Sequence, residues 1–243
     1  IPEVGGAALT GVGLFSPILM LITAFAMMPG SGGAPRAAIA MGQGDKEKAE
    51  KIMGNCFTVL MILAVILTIV FYIFAPQLLR LFGASDVTLP YAVEYGRIYI
   101  LGSITVLTVM GMNPFITTQG FAKISMMTTV IGAVINIALD LAFVAGLKLG
   151  VFGVALATVI AQAVSAFLCL LKLMKMTDLF DINLHFLKPT KHHSLTMVRL
   201  GLPSGLTQAI MSLAMIIVQS LTNSFGEMFI AANVIIMRVD GFA

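Results

Sequence analysis

The chain has 243 residues, of which 59% are hydrophobic and 10% are charged, and its mean hydropathy is +1.03. Because soluble domains carry about a quarter charged residues, this composition excludes an ordinary soluble enzyme or binding domain. The net charge of +3 comes from basic residues between apolar stretches, so it indicates membrane topology and predicts no nucleic-acid partner.

Long apolar stretches predict membrane-spanning helices along the whole chain. Each stretch exceeds the about 20 residues that a helix needs to cross the hydrocarbon core. The stretches are apolar on every face, whereas strands of a membrane barrel alternate apolar and polar residues over about 10 positions. We therefore predict an all-α, polytopic protein embedded in the lipid bilayer. The predicted helices cover residues 9–42, 53–75, 90–119, 124–147, 150–174 and 195–224, and a seventh begins near residue 228.

Basic residues near the helix ends predict the orientation of the chain, because cytoplasmic loops of membrane proteins are enriched in lysine and arginine. Ten basic residues fall on one predicted side and three on the other, so the side with ten should be cytoplasmic. The longest polar segment, residues 176–193, lies on this side. The ten are Arg36, Lys46, Lys48, Lys51, Lys123, Lys172, Lys175, Lys188, Lys191 and Arg199, and the three are Arg80, Arg97 and Lys148.

The same polar segment divides the chain into two parts. We interpret residues 1–175 as most of an N-terminal lobe, residues 176–193 as a cytoplasmic linker and residues 194–243 as the start of a C-terminal lobe. A weak internal repeat supports this division, because residues 9–18 can be laid over residues 230–239 with the apolar positions preserved but few identities. Repeated halves are typical of secondary transporters, which bind substrate between or within them.

One acidic residue, Asp140, lies deep within a predicted span. A carboxylate at such depth costs several kcal/mol unless it faces a cavity or has a partner. Asn136 lies one helical turn earlier and therefore on the same face. Burial favours the protonated acid, which suits proton uptake, while an ionised carboxylate with amide and hydroxyl oxygens suits Na⁺. The alternative is that Asp140 only hydrogen-bonds between helices.

Four local patterns give the chain a specific resemblance. Together they are similar to the multidrug and toxic compound extrusion (MATE) transporters. The patterns are a run of small residues over 30–42 with Gly42-Gln43-Gly44-Asp45 and lysines after it, Asn136-Ile137-Ala138-Leu139-Asp140, Gly150-Val151-Phe152-Gly153-Val154-Ala155-Leu156-Ala157-Thr158, and Gly201-Leu202-Pro203-Ser204-Gly205. In the register of that family, the chain is expected to be an internal fragment that runs from before family helix two to the start of family helix eight.

The resemblance also implies a set of ion-coupling residues. The DinF-like branch of the family surrounds the aspartate of its fifth helix with polar side chains, together with an aspartate in helix one. The NorM-like branch instead carries a glutamate eight positions after the proline of helix seven, where this chain has Met211. We therefore expect the chain to be nearer the DinF-like branch. The matching ion-coupling positions are Tyr95, Asn113, Asn136, Asp140 and Thr158.

Methionine and glutamine residues provide candidates for the substrate cavity. The chain has 17 methionines, and their flexible, polarizable side chains suit a cavity that accepts differently shaped molecules. Ordinary packing or contact with lipid is the better explanation for most of them. The candidates are Met27, Met28, Met110, Met112 and Gln208.

These features predict a secondary active transporter of the plasma membrane that exports amphipathic, often cationic drugs or metabolites in exchange for H⁺ or Na⁺. No cofactor is expected, nor any metal apart from Na⁺ at Asp140, and the resemblance implies a monomer with two six-helix lobes. The alternative within transport is a flippase for lipid-linked saccharides, which would need several basic residues in its lobes to bind phosphate. An intramembrane enzyme would need at least two catalytic groups within the spans, where the sequence offers only Asp140.

Overall fold

The computed structural model describes residue 8, residues 10–175 and residues 191–224, and these form helices joined by short turns. The helices are α1 (Ser16–Gly42), α2 (Lys46–Leu81), α3 (Leu89–Leu101), α4 (Ser103–Thr118), α5 (Ala122–Asp140), α6 (Gly150–Lys175) and α7 (Lys191–Ser224), and a π-helical turn (Leu141–Gly146) continues α5.

This architecture confirms the predicted all-α membrane fold. In the described part of the chain, four helices are long and apolar enough to cross a membrane, and a fifth span results if α3 and α4 are taken together. The predicted linker lies largely outside the described residues, and so do the helix expected after residue 228 and the repeat at 230–239.

Helix α2 is longer at both ends than the predicted span, residues 53–75. Its first turns are charged, and the side chain of Asp45 caps the helix by accepting a hydrogen bond from the backbone N–H of Lys48 at 3.1 Å. Lys51 and Glu47 form an ion pair at 2.6 Å one turn later. Water can solvate these charges, so the helix extends beyond its apolar stretch, and hydropathy alone does not detect the extension.

The predicted helix 90–119 is broken at Gly102, where α3 and α4 meet at a bend of 53°. The break frees backbone carbonyl groups, and the hydroxyl of Thr68 on α2 donates to the carbonyl of Ile100 at 3.3 Å. A side chain at Gly102 would collide with Val159 of α6. The glycine therefore allows both the bend and the close approach of α6.

Helix α1 is the centre of the described bundle and packs against α2, α4 and α7. Its small-residue run brings these neighbours close. A Cβ atom at Gly30 would lie 2.7 Å from the carbonyl oxygen of Gly111 on α4. One at Gly32 would lie 3.0 Å from the backbone nitrogen of Gly201 on α7. Backbone atoms cannot rotate away, so these contacts require glycine.

We predict that Gly30→Ala lowers the stability of the protein by about 1 to 3 kcal/mol, because the new methyl group overlaps the backbone of α4. The matched control is Gly42→Ala at the end of the same helix, where an added Cβ would meet no atom within 4 Å. Alanine there should leave stability unchanged or raise it by up to about 1 kcal/mol through helix propensity. Thermal unfolding in detergent measures both effects. Equal melting temperatures for the two variants would contradict this account of the α1–α4 contact.

Candidate functional site

A cavity of about 650 Å³ lies between α1, α4, α5 and α6. Its volume is within the range of about 300 to 1,000 Å³ that is typical of small-molecule sites. The walls are mostly apolar, and a band of amide and hydroxyl groups crosses them. This band includes Asn113, Thr129, Asn136, Thr158 and Gln162.

A second feature adjoins this cavity at the end of α5, where the helix passes into the π-helical turn. One carboxylate oxygen of Asp140 is buried there and has no hydrogen-bond partner among the described residues. One turn earlier, the amide nitrogen of Asn136 donates to the hydroxyl oxygen of Thr158 on α6 at 3.4 Å. The side chain of Tyr95 on α3 contacts Thr158 and lies within electrostatic reach of Asp140. We call these four residues the Asp140 cluster.

Asn113 lines the same cavity as Asn136 and Thr158, and its described hydrogen bonds go to α5 rather than to the Asp140 cluster, with which the resemblance groups it. Its amide nitrogen donates to the carbonyl of Ser125 at 3.2 Å and to the hydroxyl of Thr129 at 3.4 Å, both on α5. Its amide oxygen is buried without a partner in the described structure. Tyr95 and Asn113 lie on opposite sides of the bend at Gly102, so the two side chains do not share one helix face.

The methionine candidates divide into two groups. Met27 and Met110 line the cavity. Met28 and Met112 do not line it, because both are packed between helices at 9% and 2% exposure. Met27 and Met28 are adjacent on α1, and Met110 and Met112 are two positions apart on α4. Side chains at these spacings on a helix point in different directions. Gln208 lies half-buried on α7 and is also outside this cavity.

Sequence reasoning missed Gln162, which lines the cavity from α6. The signal was present, because Gln162 follows Thr158 by four positions and therefore lies on the same helix face. Its side chain is an uncharged amide, which is less conspicuous within an apolar stretch than a carboxylate. Periodicity relative to an already proposed site residue identifies it.

Comparisons with known proteins identify the family of the chain. A family model described as MatE matches residues 1–142, which is more than half of the chain. The chain belongs to the MatE family. A protein of Bacillus subtilis (strain 168) named probable multidrug resistance protein YoeA is 29% identical over 246 residues, and the match covers 98% of this chain and 53% of that protein.

Two solved structures extend the comparison to the fold. A crystal structure of MATE in the bent conformation has a TM-score of 0.85 at 31% identity, covering 96% of this chain and 52% of that one. The structure of an inward-facing MATE family transporter has a TM-score of 0.82 at 32% identity, and the match covers 89% of this chain and 49% of that one. The chain thus spans about half the length of these relatives.

MatE membership confirms several expectations from the sequence. The resemblance to this family is confirmed, and so is a multi-pass protein of the plasma membrane. The relatives are described as multidrug resistance proteins and transporters. The intramembrane enzyme considered from the sequence is therefore excluded.

We predict that a cysteine in place of Gln162 is accessible to a polar maleimide reagent in the detergent-solubilised protein, because this side chain lines the cavity. Met112→Cys should react only after denaturation, because that side chain is buried. The native Cys56 and Cys169 are both buried, so they contribute little background in this part of the chain. Mass spectrometry of labelled peptides distinguishes the positions. Fast labelling at position 112 and none at position 162 would contradict the described wall of the cavity.

Proposed function

We propose that this chain is part of a secondary active multidrug efflux transporter. H⁺ or Na⁺ binds at the Asp140 cluster, and amphipathic, often cationic small molecules bind in the adjoining cavity. In this proposal residues 1–175 form most of the N-terminal lobe, residues 176–193 form a cytoplasmic linker and residues 194–243 begin a second lobe. The two lobes alternate access between the faces of the membrane, and the intact transporter is a monomer.

The main support for this proposal is that the cavity and the Asp140 cluster have two side chains in common. Asn136 and Thr158 line the cavity, and the same two side chains contact each other beside Asp140. Asp140 follows Asn136 by four residues, a rise of about 6 Å along the helix axis. A molecule in the cavity and an ion at Asp140 would therefore contact the same two side chains. Through these shared side chains, binding of one ligand can affect binding of the other.

Charge explains why the two ligands should exchange. When H⁺ or Na⁺ is bound at Asp140, the site is neutral and attracts a cationic drug only weakly. When the ion leaves, a negative charge remains beside the cavity in surroundings of low dielectric constant, where its attraction for a cation is much stronger than in water. Release of the ion thus favours drug binding, and ion binding favours drug release. This opposition is what an antiporter requires.

The cavity also supports the substrate class. Apolar side chains such as Met27 and Met110 cover much of the wall and suit the hydrophobic part of an amphipathic molecule. The buried amide oxygen of Asn113 accepts no hydrogen bond from any described residue, so it is available to a donor on the substrate. A flippase for lipid-linked saccharides is less well supported, because no lysine or arginine lines this cavity in the described part of the chain.

We predict that Asp140→Asn in the intact transporter abolishes the efflux of a cationic dye from cells, because the amide can neither release a proton nor pair with a cation. The protein should still be made in normal amounts, since asparagine has nearly the same shape. Dye accumulation together with the amount of protein in the membrane measures the effect. Efflux at the wild-type rate would disprove the coupling role, and loss of the protein itself would favour a purely structural role for Asp140.

We further predict that alanine variants separate ion binding from drug recognition. Asn136→Ala and Thr158→Ala each remove a contact of the Asp140 cluster and should weaken ion affinity by about 1 to 3 kcal/mol, or roughly 5-fold to 150-fold. Asn113→Ala lies outside the cluster and should change the affinity for drugs with hydrogen-bond donors while the ion dependence stays at the wild-type value. Transport measured against ion concentration for two drugs resolves the two effects.

Two results of the alanine series would change which residues are assigned to the ion site and which to the drug cavity. A wild-type ion dependence in Asn136→Ala and Thr158→Ala, with a changed drug profile, would assign these residues to the drug cavity alone. A shifted ion dependence in Asn113→Ala would return Asn113 to the ion site, where the resemblance had placed it.

A further inference from the structure

Three aromatic rings pack together beside Thr158 and Asp140, and one of them, Tyr95, belongs to the Asp140 cluster. The ring of Phe15 meets the rings of Tyr95 and Tyr99 edge-on, with centroid distances of 5.4 and 5.7 Å and interplanar angles of 73° and 65°. The two tyrosine rings stack at 6.0 Å. Edge-to-face and stacked geometries at these distances are favourable beyond simple burial. The three rings are thus held in defined orientations relative to one another.

The position of Phe15 depends on the start of α1. Phe15 is the residue before this helix, Pro17 occupies its first turn, and the carbonyl of Phe15 accepts hydrogen bonds from the backbone N–H groups of Ile18 and Leu19 at 3.0 and 3.2 Å. The Phe15 side chain is fully buried. It fits against α3 because residue 96 is glycine, where a Cβ atom would lie 2.8 Å from the Phe15 ring.

We propose that Phe15 is a positioning residue for ion coupling, which holds the ring of Tyr95 so that its phenol faces Thr158 and Asp140. The inference rests on the proposed function of the Asp140 cluster. Tyr95 is only 6% exposed, and its ring contacts Phe15 on one side and Tyr99 on another. Without the Phe15 ring, the tyrosine side chain gains space to rotate, and its hydroxyl no longer has a fixed position beside the ion site.

Few titratable groups other than Asp140 could explain a change in ion dependence caused by moving Tyr95. Within the described residues, the titratable groups that interact electrostatically with Tyr95 are Asp140 on α5 and Tyr99 on α3 itself. Glu94 is its chain neighbour but is exposed, and Arg97 lies over the ring of Tyr72 at 5.4 Å. A change in ion dependence caused by moving Tyr95 therefore acts through Asp140 and its neighbours.

The test uses Phe15→Leu in the intact transporter, since leucine keeps an apolar side chain but loses both ring contacts. We predict that the half-saturating ion concentration, or the corresponding pH midpoint, shifts about 3-fold to 10-fold while the maximal rate is largely retained. Gly96→Ala should shift it in the same direction, because the new methyl group displaces the Phe15 ring. In a Tyr95→Phe background, adding Phe15→Leu should change the value by no more than about twofold, because the phenol is already absent.

Phe115→Leu is the matched control, since Phe115 is also fully buried but lies on α4 and makes no ring contact with Tyr95 in the described structure. It should lower the melting temperature like Phe15→Leu and leave the ion dependence unchanged. If Phe15→Leu does not fold, Gly96→Ala carries the test.

The outcomes separate this inference from the proposed function. Loss of coupling in Asp140→Asn, combined with a wild-type ion dependence in Phe15→Leu and Gly96→Ala, would overturn the positioning role alone. An equal shift from Phe15→Leu with and without the Tyr95 hydroxyl would also overturn it. Intact coupling in Asp140→Asn would overturn the proposed function and this inference together.

Discussion

Polar groups at membrane depth need partners within the protein, because the hydrocarbon core of the bilayer supplies none. The described helices meet this constraint in two ways. At the bend between α3 and α4, Thr68 satisfies a carbonyl group that the break exposes. On α4, α5 and α6, the amide and hydroxyl side chains converge on one cavity. Among the described residues, four buried side-chain atoms have no hydrogen-bond partner, and two of them, on Asn113 and Asp140, mark the two places where we propose that a ligand binds.

Close packing around α1 determines where these two places lie. Glycines on this helix bring α4 and α7 near, and the bend at Gly102 turns α4 relative to α3. Tyr95 of the Asp140 cluster lies on α3 before the bend, and Asn113 lies on α4 after it. Asn136 and Thr158 belong to both the Asp140 cluster and the cavity. Asn136 lies one helical turn before Asp140 on α5, and Thr158 lies one helical turn before Gln162 on α6. The proposed ion site and the proposed drug cavity thus share the side chains of Asn136 and Thr158.

The sequence predicted the parts of this arrangement that depend on hydropathy and local spacing. It gave apolar helices over most of the described chain, and helical spacing placed Asn136 on the same face as Asp140. Thr158 was expected only from the resemblance to the family. The sequence did not predict the break at Gly102, because the flanking residues are apolar and the partners that stabilise the bend lie on α2 and α6. For the same reason the hydrogen bonds of Asn113 to Ser125 and Thr129 were not predicted. The directions of Met28 and Met112 also depend on which neighbour each helix face contacts, and no local pattern encodes that.

The central claim is that drug binding and ion release are linked through Asp140. The most direct test measures ions released when a cationic drug is added to the purified intact transporter, with a pH indicator for H⁺ and a selective electrode for Na⁺. Our account predicts that the wild-type protein releases one of these ions on binding the drug, and that Asp140→Asn binds the drug but releases neither. Equal ion release by the wild-type protein and Asp140→Asn would contradict it, because the ion would then be bound elsewhere.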